Sequence, residues 1–274
     1  MNILKILDSL TDDALYTKPL SRNENLSQLS SFGKRTAAAA IPLGLGAFLS
    51  GNAKAETKKV ETEESLAFKK DALSDALQLA LTLEYLEDEY YAKGLAASTL
   101  TIPAADKIVF QQIAKHEKAH VAFLKAALTS LGVTPGAKPT FDFTVNGAFN
   151  PFGDYQQFLI LAQAFEDTGV RAYKGQAGNV MGNKAILQAA LQIHSVEARH
   201  ASQVRRMRMN KGWIELNNGG SMPAATDAVY AGEQNTTQAG FNTATAFGAE
   251  AGSASFDEIL TGAQATAIAT LFID

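Results

Sequence analysis

Apolar side chains recur three or four residues apart along four stretches of the chain, a spacing that gathers them on one face of an α-helix. Glycine, proline or asparagine marks each gap between these stretches, and Pro103 stands where a proline typically opens a helix. The pattern predicts four long helices, from Glu61 to about Ser98, Pro103 to Gly132, about Phe152 to Gly178, and about Ile186 to Lys211.

The connection between the second and third helices is long. Residues 133–151 contain three prolines and lack helical periodicity, so they predict an extended crossover. Phe141, Phe143 and Phe149 within this segment indicate that it packs against the helices. The pattern therefore predicts an all-α fold in which two helical hairpins, joined by one crossover, form a four-helix bundle.

The chain continues beyond the bundle. Residues 213–274 are rich in glycine, asparagine, threonine and alanine, which predicts a mostly irregular C-terminal extension. Helical periodicity returns near its end, where Leu260, Ile268, Leu271 and Phe272 are predicted to dock on the bundle. The predicted organisation is an N-terminal extension at 1–55, the bundle at 56–212 and the C-terminal extension at 213–274.

The N-terminal extension has the pattern of an export signal. A basic pair at 34–35 precedes an apolar run at 36–50, and Ala53-Lys54-Ala55 is a small-x-small site for an export peptidase. The run is too short and too rich in glycine and alanine for a membrane span. We expect a periplasmic protein that begins near Glu56 and keeps no membrane span. The alternative is a cytoplasmic chain that has a flexible N-terminal arm with a docked apolar helix.

The composition of the chain limits which functions and which metal ligands are possible. Hydrophobic residues make up 46% of the chain, enough for a packed core, and the net charge of −4 argues against a nucleic-acid surface. The chain has no cysteine, which excludes disulfides, thiolate nucleophiles, iron–sulfur clusters and cysteine-bound zinc. Any bound metal must be held by nitrogen and oxygen ligands, and only four histidines are available.

Two Glu-x-x-His pairs lie on apolar faces of the second and fourth helices. Glu117 precedes His120 by three residues and Glu197 precedes His200 by three, so each pair shares one helix face. The first and third helices each offer one more carboxylate between apolar neighbours. Ionisable groups that face a core are costly unless they pair or bind metal. The pattern predicts a two-metal site, with a metal-free ion-pair network as the alternative, formed by Glu84, Glu117, His120, Glu166, Glu197 and His200.

Glu87 is a second candidate for the metal ligand on the first helix. Glu87 lies one turn from Glu84, and its Leu-Glu-Asp triplet resembles the Phe-Glu-Asp triplet around Glu166. The spacing favours Glu84, which precedes Glu117 by 33 residues, close to the 31 that separate Glu166 from Glu197. Glu87 either replaces Glu84 or is a mobile extra ligand.

A tyrosine follows two of these glutamates by seven residues, or two helical turns. Tyr91 follows Glu84 and Tyr173 follows Glu166, so each tyrosine lies on the face of its glutamate. Each one either packs in the core or donates a hydrogen bond to a ligand carboxylate.

A different motif overlaps the second helix. Residues 116–120 read H-E-x-x-H, in which both histidines bind one zinc ion and the glutamate is the general base of a protease. This interpretation explains neither the second Glu-x-x-His pair nor Glu84. In the two-metal interpretation, His116 and His194 are candidates to hydrogen-bond to the ligands.

Three features of the sequence resemble the ferritin-like superfamily. They are residues 83–91 (Leu-Glu-Tyr-Leu-Glu-Asp-Glu-Tyr-Tyr), the two Glu-x-x-His pairs, and residues 256–261 (Phe-Asp-Glu-Ile-Leu-Thr). Residues 256–261 resemble its branch of plant desiccation-related proteins and exported bacterial homologues, and the resemblance covers nearly all of residues 65–274. The resemblance implies a ferritin-like four-helix bundle with two iron or two manganese ions. Iron and manganese bind the same types of ligand, so these residues do not distinguish between the two metals.

The resemblance also implies a reaction class. Two metal ions bridged by carboxylates suit two-electron chemistry with O₂ or peroxide. Glu117 and Glu197 would bridge, Glu84 and Glu166 would be terminal ligands, and His120 and His200 would each bind one ion. We expect an oxidoreductase of ferroxidase, peroxidase or catalase type that acts on peroxide, O₂ or ferrous iron in stress protection.

The alternative is a metal-stabilised structural or desiccation-protective protein without turnover. A homo-oligomer is compatible with the sequence, but the crossover and the C-terminal extension need room, so we do not expect a 24-subunit shell.

Overall fold

Four long helices make up most of the described chain. In a computed structural model, which describes the backbone from residue 63 and the side chains from residue 71, they are α1 (Glu63–Ala96), α2 (Ala104–Ser130), α3 (Tyr155–Val180) and α4 (Lys184–Met207). The prediction of an all-α bundle is confirmed. The predicted export signal and its cleavage site lie outside the described residues.

Local sequence determines where the helices begin and end. The Asp154 side chain accepts hydrogen bonds from the first backbone amides of α3, and Asn183 caps α4 in the same way. Because Asp154 is the cap, α3 begins slightly later than predicted. Gly132 adopts a left-handed φ of 73° just after α2, the conformation that ends many helices. Met209, with a φ of 61°, ends α4 earlier than predicted.

The helices pack as two hairpins. α1 packs against α2, α3 packs against α4, and α1 also packs along α3. Within the crossover, Phe141 and Phe143 are buried in the core that the hairpins share, which confirms that this segment packs on the helices. The Asp142 amide donates to the Phe272 carbonyl at 2.9 Å, so the crossover is also tied to the C-terminal end.

The C-terminal extension is more regular than predicted. It contains a 3₁₀ turn (Ala224–Thr226), an antiparallel pair of β1 (Thr237–Gln238) and β2 (Phe241–Asn242), and the short helices α5 (Asp227–Tyr230), α6 (Thr243–Phe247), α7 (Ala249–Ser253) and α8 (Gly262–Thr270). α8 packs on α1 and α3. From residue 63 onwards, no helix has the length and apolar character required to cross a membrane.

Three of the four predicted docking residues are buried. Leu260, Ile268 and Phe272 are each less than 9% exposed, whereas Leu271 is 51% exposed, so the prediction for Leu271 is wrong. Ala265, Ile268 and Phe272 follow each other at three- and four-residue intervals and share one face. Leu271 falls outside that face, just past the end of α8.

A buried arginine holds the C-terminal extension against α3. The Arg171 side chain is 1% exposed and pairs with Glu233 at 2.7 Å. Its guanidinium also donates to the backbone carbonyls of Val229, Ala231 and Glu258. One side chain of α3 thus satisfies carbonyls from two separate segments of the extension.

Candidate metal centre

Seven ionisable side chains meet in the interior of the bundle. The five glutamates are at most 2% exposed and the two histidines are 9% and 5% exposed. Each of the four long helices contributes to the cluster, which contains Glu84, Glu87, Glu117, His120, Glu166, Glu197 and His200.

His120 lies among three carboxylates. Its Nδ1 atom is 2.9 Å from Glu117 Oε2, 3.1 Å from Glu197 Oε1 and 3.2 Å from Glu84 Oε2. A ring nitrogen carries at most one proton, so it cannot donate well to three oxygens. Each of these four residues offers one ligand atom within 4.8 Å of the others, a first group with the convergence of a metal site.

His200 has equivalent surroundings. Its Nδ1 atom is 3.0 Å from Glu117 Oε1, 3.2 Å from Glu166 Oε2 and 3.8 Å from Glu197 Oε2. These four residues form a second group in which the ligand atoms also lie within 4.8 Å of one another. The first and second groups each combine one imidazole with three carboxylates.

Glu117 and Glu197 belong to both groups. Each turns one carboxylate oxygen towards His120 and the other towards His200, while Glu84 and Glu166 each contact one histidine. This is the arrangement expected of two bridging and two terminal carboxylates. The structure therefore brings all six predicted residues together, and their binding of metal stays a prediction.

Several oxygen atoms in the cluster lack hydrogen-bond donors. Glu117 Oε1 and both oxygens of Glu197 are buried and accept no hydrogen bond, because the nearby imidazole N–H groups are not aligned with them. A buried acceptor left unpaired costs about 1–3 kcal/mol, and more if it is charged. Cations between the carboxylates would satisfy these lone pairs, so the residues present fit a pair of metal ions.

Two tyrosines link the terminal glutamates across the bundle. The Tyr91 hydroxyl on α1 donates to Glu166 on α3, and the Tyr173 hydroxyl on α3 donates to Glu84 on α1, both at 2.5 Å. Each tyrosine lies roughly 10 Å beyond the glutamate of its own helix. Two such reciprocal bonds can form only if α1 and α3 are antiparallel. The tyrosines are thus both core residues and hydrogen-bond donors to the cluster.

The cluster holds protons where metal ions would bind. Burial raises the pKa of Glu84 and of Glu166, and the neighbouring Glu197 raises both further. Burial alone would lower the pKa of His120, but contacts with Glu117, Glu197 and Glu84 raise it to about 12. Burial would raise the pKa of Glu197, but His120 and His200 lower it to about 2. Metal ions must therefore displace protons from this site.

Glu87 belongs to the cluster but lies outside both four-residue groups. Burial raises its pKa, and the carboxylates of Glu197 and Glu166 raise it further. Gly169 faces it from α3, where an added Cβ would lie 3.3 Å from Glu87 Oε1 and 3.6 Å from Glu197 Oε2. The structure thus places Glu84 among the converging ligand atoms and leaves Glu87 as an adjacent acid.

His116 contacts the cluster through His200. The His116 Nδ1 and His200 Nε2 atoms are 2.9 Å apart, and the two rings stack with centroids 5.1 Å apart. Gln112 extends this chain, with its side-chain nitrogen 2.7 Å from His116 Nε2. His116 belongs to neither group, so the two histidines of the H-E-x-x-H motif do not converge on one metal position.

The other candidate histidine lies apart from the ligands. His194 lies outside both four-residue groups, and its buried Nδ1 atom has no hydrogen-bond partner. Burial lowers its pKa. The sequence pattern did not identify Gln112 or Gly169, although Gln112 is four residues from His116 and therefore on its face.

Comparison with protein families agrees with the fold. The sequence profile of the Ferritin-like domain family matches residues 73–210, half of the chain. This protein therefore belongs to the ferritin-like domain family. No curated protein matches the chain. The matched residues contain all six predicted ligands, both tyrosines and His116.

Proposed function

We propose that this protein is a two-metal oxidoreductase that uses iron or manganese to act on peroxide, O₂ or ferrous iron in stress protection. The observation that carries the proposal is the sharing of Glu117 and Glu197 between two histidines, an arrangement that would suit two adjacent metal ions. Mixed imidazole and carboxylate ligands suit both iron and manganese.

Each residue of the cluster has a role in this proposal. One ion would be held by Glu84 and His120, the other by Glu166 and His200, and both by the shared carboxylates. Two redox-active ions side by side would supply two-electron chemistry with oxygen species. The tyrosine hydroxyls fix the orientation of the terminal carboxylates. Burial of the cluster keeps bulk water and large reductants away.

In two of these reactions the substrates supply and accept all the electrons, so no separate electron-donor domain is needed. In the catalase reaction, two peroxide molecules give two waters and one O₂, so one peroxide is oxidised and the other is reduced. In the ferroxidase reaction, two ferrous ions each lose one electron, and O₂ takes up both electrons and two protons to give peroxide. A peroxidase reaction would also need an external two-electron reductant.

The test is elemental analysis of the full chain combined with assays of peroxide consumption and ferrous oxidation. We expect about two iron or manganese ions per chain and turnover in at least one assay. The double variant Glu117→Ala, His200→Ala should lose both metals and turnover. Glu89→Gln is the control, because Glu89 lies on α1 but pairs with Lys93 and Lys138 at the surface.

The outcomes separate the alternatives. Full metal content in the double variant would disprove the site. Two bound metals without turnover in either assay would disprove the oxidoreductase and favour the metal-stabilised structural protein.

A further inference from the structure

An apolar cavity adjoins the cluster and is lined by all four long helices. Its walls are apolar except for Gln176 and the hydroxyl of Tyr173. The space within it that the centre of a water molecule could occupy is about 20 Å³, which is enough for one very small molecule. It reaches the outer face of α2, where Phe123 is 37% exposed.

The cavity begins about one helical turn from the predicted ligands. Ala80 on α1, Leu124 on α2 and Ile193 on α4 line it, and each is four residues from a predicted ligand on its own helix. Residues four apart share a helix face, so the lining continues the surface that carries Glu84, His120 and Glu197. Tyr173 lines the inner end of the cavity with its hydroxyl on Glu84.

The opposite side of the cluster is packed with aromatic rings. Phe110 precedes Glu117 on α2 and Phe158 precedes Glu166 on α3, whereas the cavity residues of α2 and α3 follow the ligands. Tyr91, Phe110 and Phe158 are each 0% exposed, with the two phenylalanine centroids 5.0 Å apart. A small molecule therefore has room on the Tyr173 side, whereas buried aromatic rings fill the Tyr91 side.

We infer that the apolar cavity is the route by which dioxygen reaches the cluster, an inference that rests on the proposed function for its choice of substrate. Dioxygen is apolar and small enough for the cavity. Peroxide and ferrous ions would lose hydrogen bonds or hydration against these walls without replacement. The cavity thus favours O₂ as the oxidant, with polar substrates entering elsewhere.

Dissolved O₂ is the probe for the first experiment, because its paramagnetism speeds the relaxation of nearby methyl groups. In the metal-free full-length chain under oxygen pressure, we expect several-fold larger relaxation at Leu77 and Leu124, which line the cavity. Leu81 and Leu128 are the matched controls, since each lies one turn away on the same helix and is equally buried outside the cavity. Equal enhancement at all four leucines would disprove the inference.

A blocking variant supplies the second experiment. Ala190→Phe fills the cavity from α4, whereas Ala114→Phe changes a similarly half-buried alanine outside the lining. We expect Ala190→Phe alone to abolish the excess relaxation at Leu124 and to slow reoxidation of the reduced, metal-loaded protein by O₂. Excess relaxation with neither oxidation by O₂ nor turnover of peroxide would retain the route and disprove the proposed function. Oxidation at equal rates in both variants would retain the function and disprove the route.

Discussion

The two histidines of the cluster are supported differently. His200 is held through its second ring nitrogen by His116, which stacks on it, whereas His120 has no such stacking ring among the aromatic contacts of the described residues. A hydrogen bond to the far nitrogen of a metal-binding histidine fixes both the ring orientation and the protonated position. His116 should therefore position His200 and leave His120 unaffected.

His116→Ala tests this difference. We expect metal affinity at one of the two positions to fall about 10- to 100-fold, the usual effect of losing such a partner. Titration against a competing chelator would resolve the two binding steps. His194→Ala is the control, because His194 lies on α4 outside both four-residue groups. Equal losses in the two variants would show that His116 has no positioning role.

The protons held by the cluster make metal binding depend on pH. His120, with a pKa of about 12, keeps a proton at neutral pH that a metal ion must displace, and the raised pKa of Glu84 and of Glu166 favours their protonated forms. Lower pH strengthens the competing protons, so metal affinity should rise with pH. The rise should be about tenfold per pH unit for each proton released. Chelator competition between about pH 6 and about pH 8 measures the slope, and a flat profile would contradict the proton content assigned to the cluster.

At the scale of elements, α3 contributes residues both to the cluster and to the contact with the C-terminal extension. It supplies Glu166 and Tyr173 to the cluster and Arg171 to the C-terminal extension, which lies on its other side. The extension also approaches closely at Gly175, where an added Cβ would lie 1.9 Å from the Leu260 carbonyl oxygen. The same helix is therefore packed on two sides by groups that fix its position.

Arg171→Met should detach the extension from α3. The variant removes the donor to three backbone carbonyls and the charged partner of Glu233, which keeps the hydrogen bond from the Glu258 amide. Breaking a buried ion pair costs about 3–5 kcal/mol. Burial already raises the pKa of Glu233 to about 7, so this carboxyl can take up a proton when its partner is removed. We therefore expect the free energy of unfolding to fall by about 3 kcal/mol, the low end of that range.

Lys174→Met is the comparison for that variant. Lys174 lies one turn further along α3 and faces Asp257, but both side chains are at least 31% exposed. Exposed ion pairs contribute about 0–1 kcal/mol. Denaturant unfolding should therefore separate the two variants clearly, and similar losses would mean that Arg171 does not hold the extension.

At the scale of the whole molecule, periodicity and spacing predicted the bundle and the convergence of six side chains. Helical period fixes which face a residue occupies, so Glu117, His120, Glu197 and His200 could be assigned to inward faces from sequence alone. The partners of Tyr91 and Tyr173 could not, because pairing across two helices depends on their relative shift. Leu271 was misassigned because the end of α8 decides its direction, and periodicity does not show where a short helix ends.

Neither hairpin can complete a metal position by itself. The first group takes Glu197 from α4, and the second takes Glu117 from α2, so every predicted ion lies on the seam between the hairpins. Full coordination of either ion would therefore require the two hairpins to be docked. Bound ions would then link the hairpins, and the rate of ion release would limit how fast the hairpins separate.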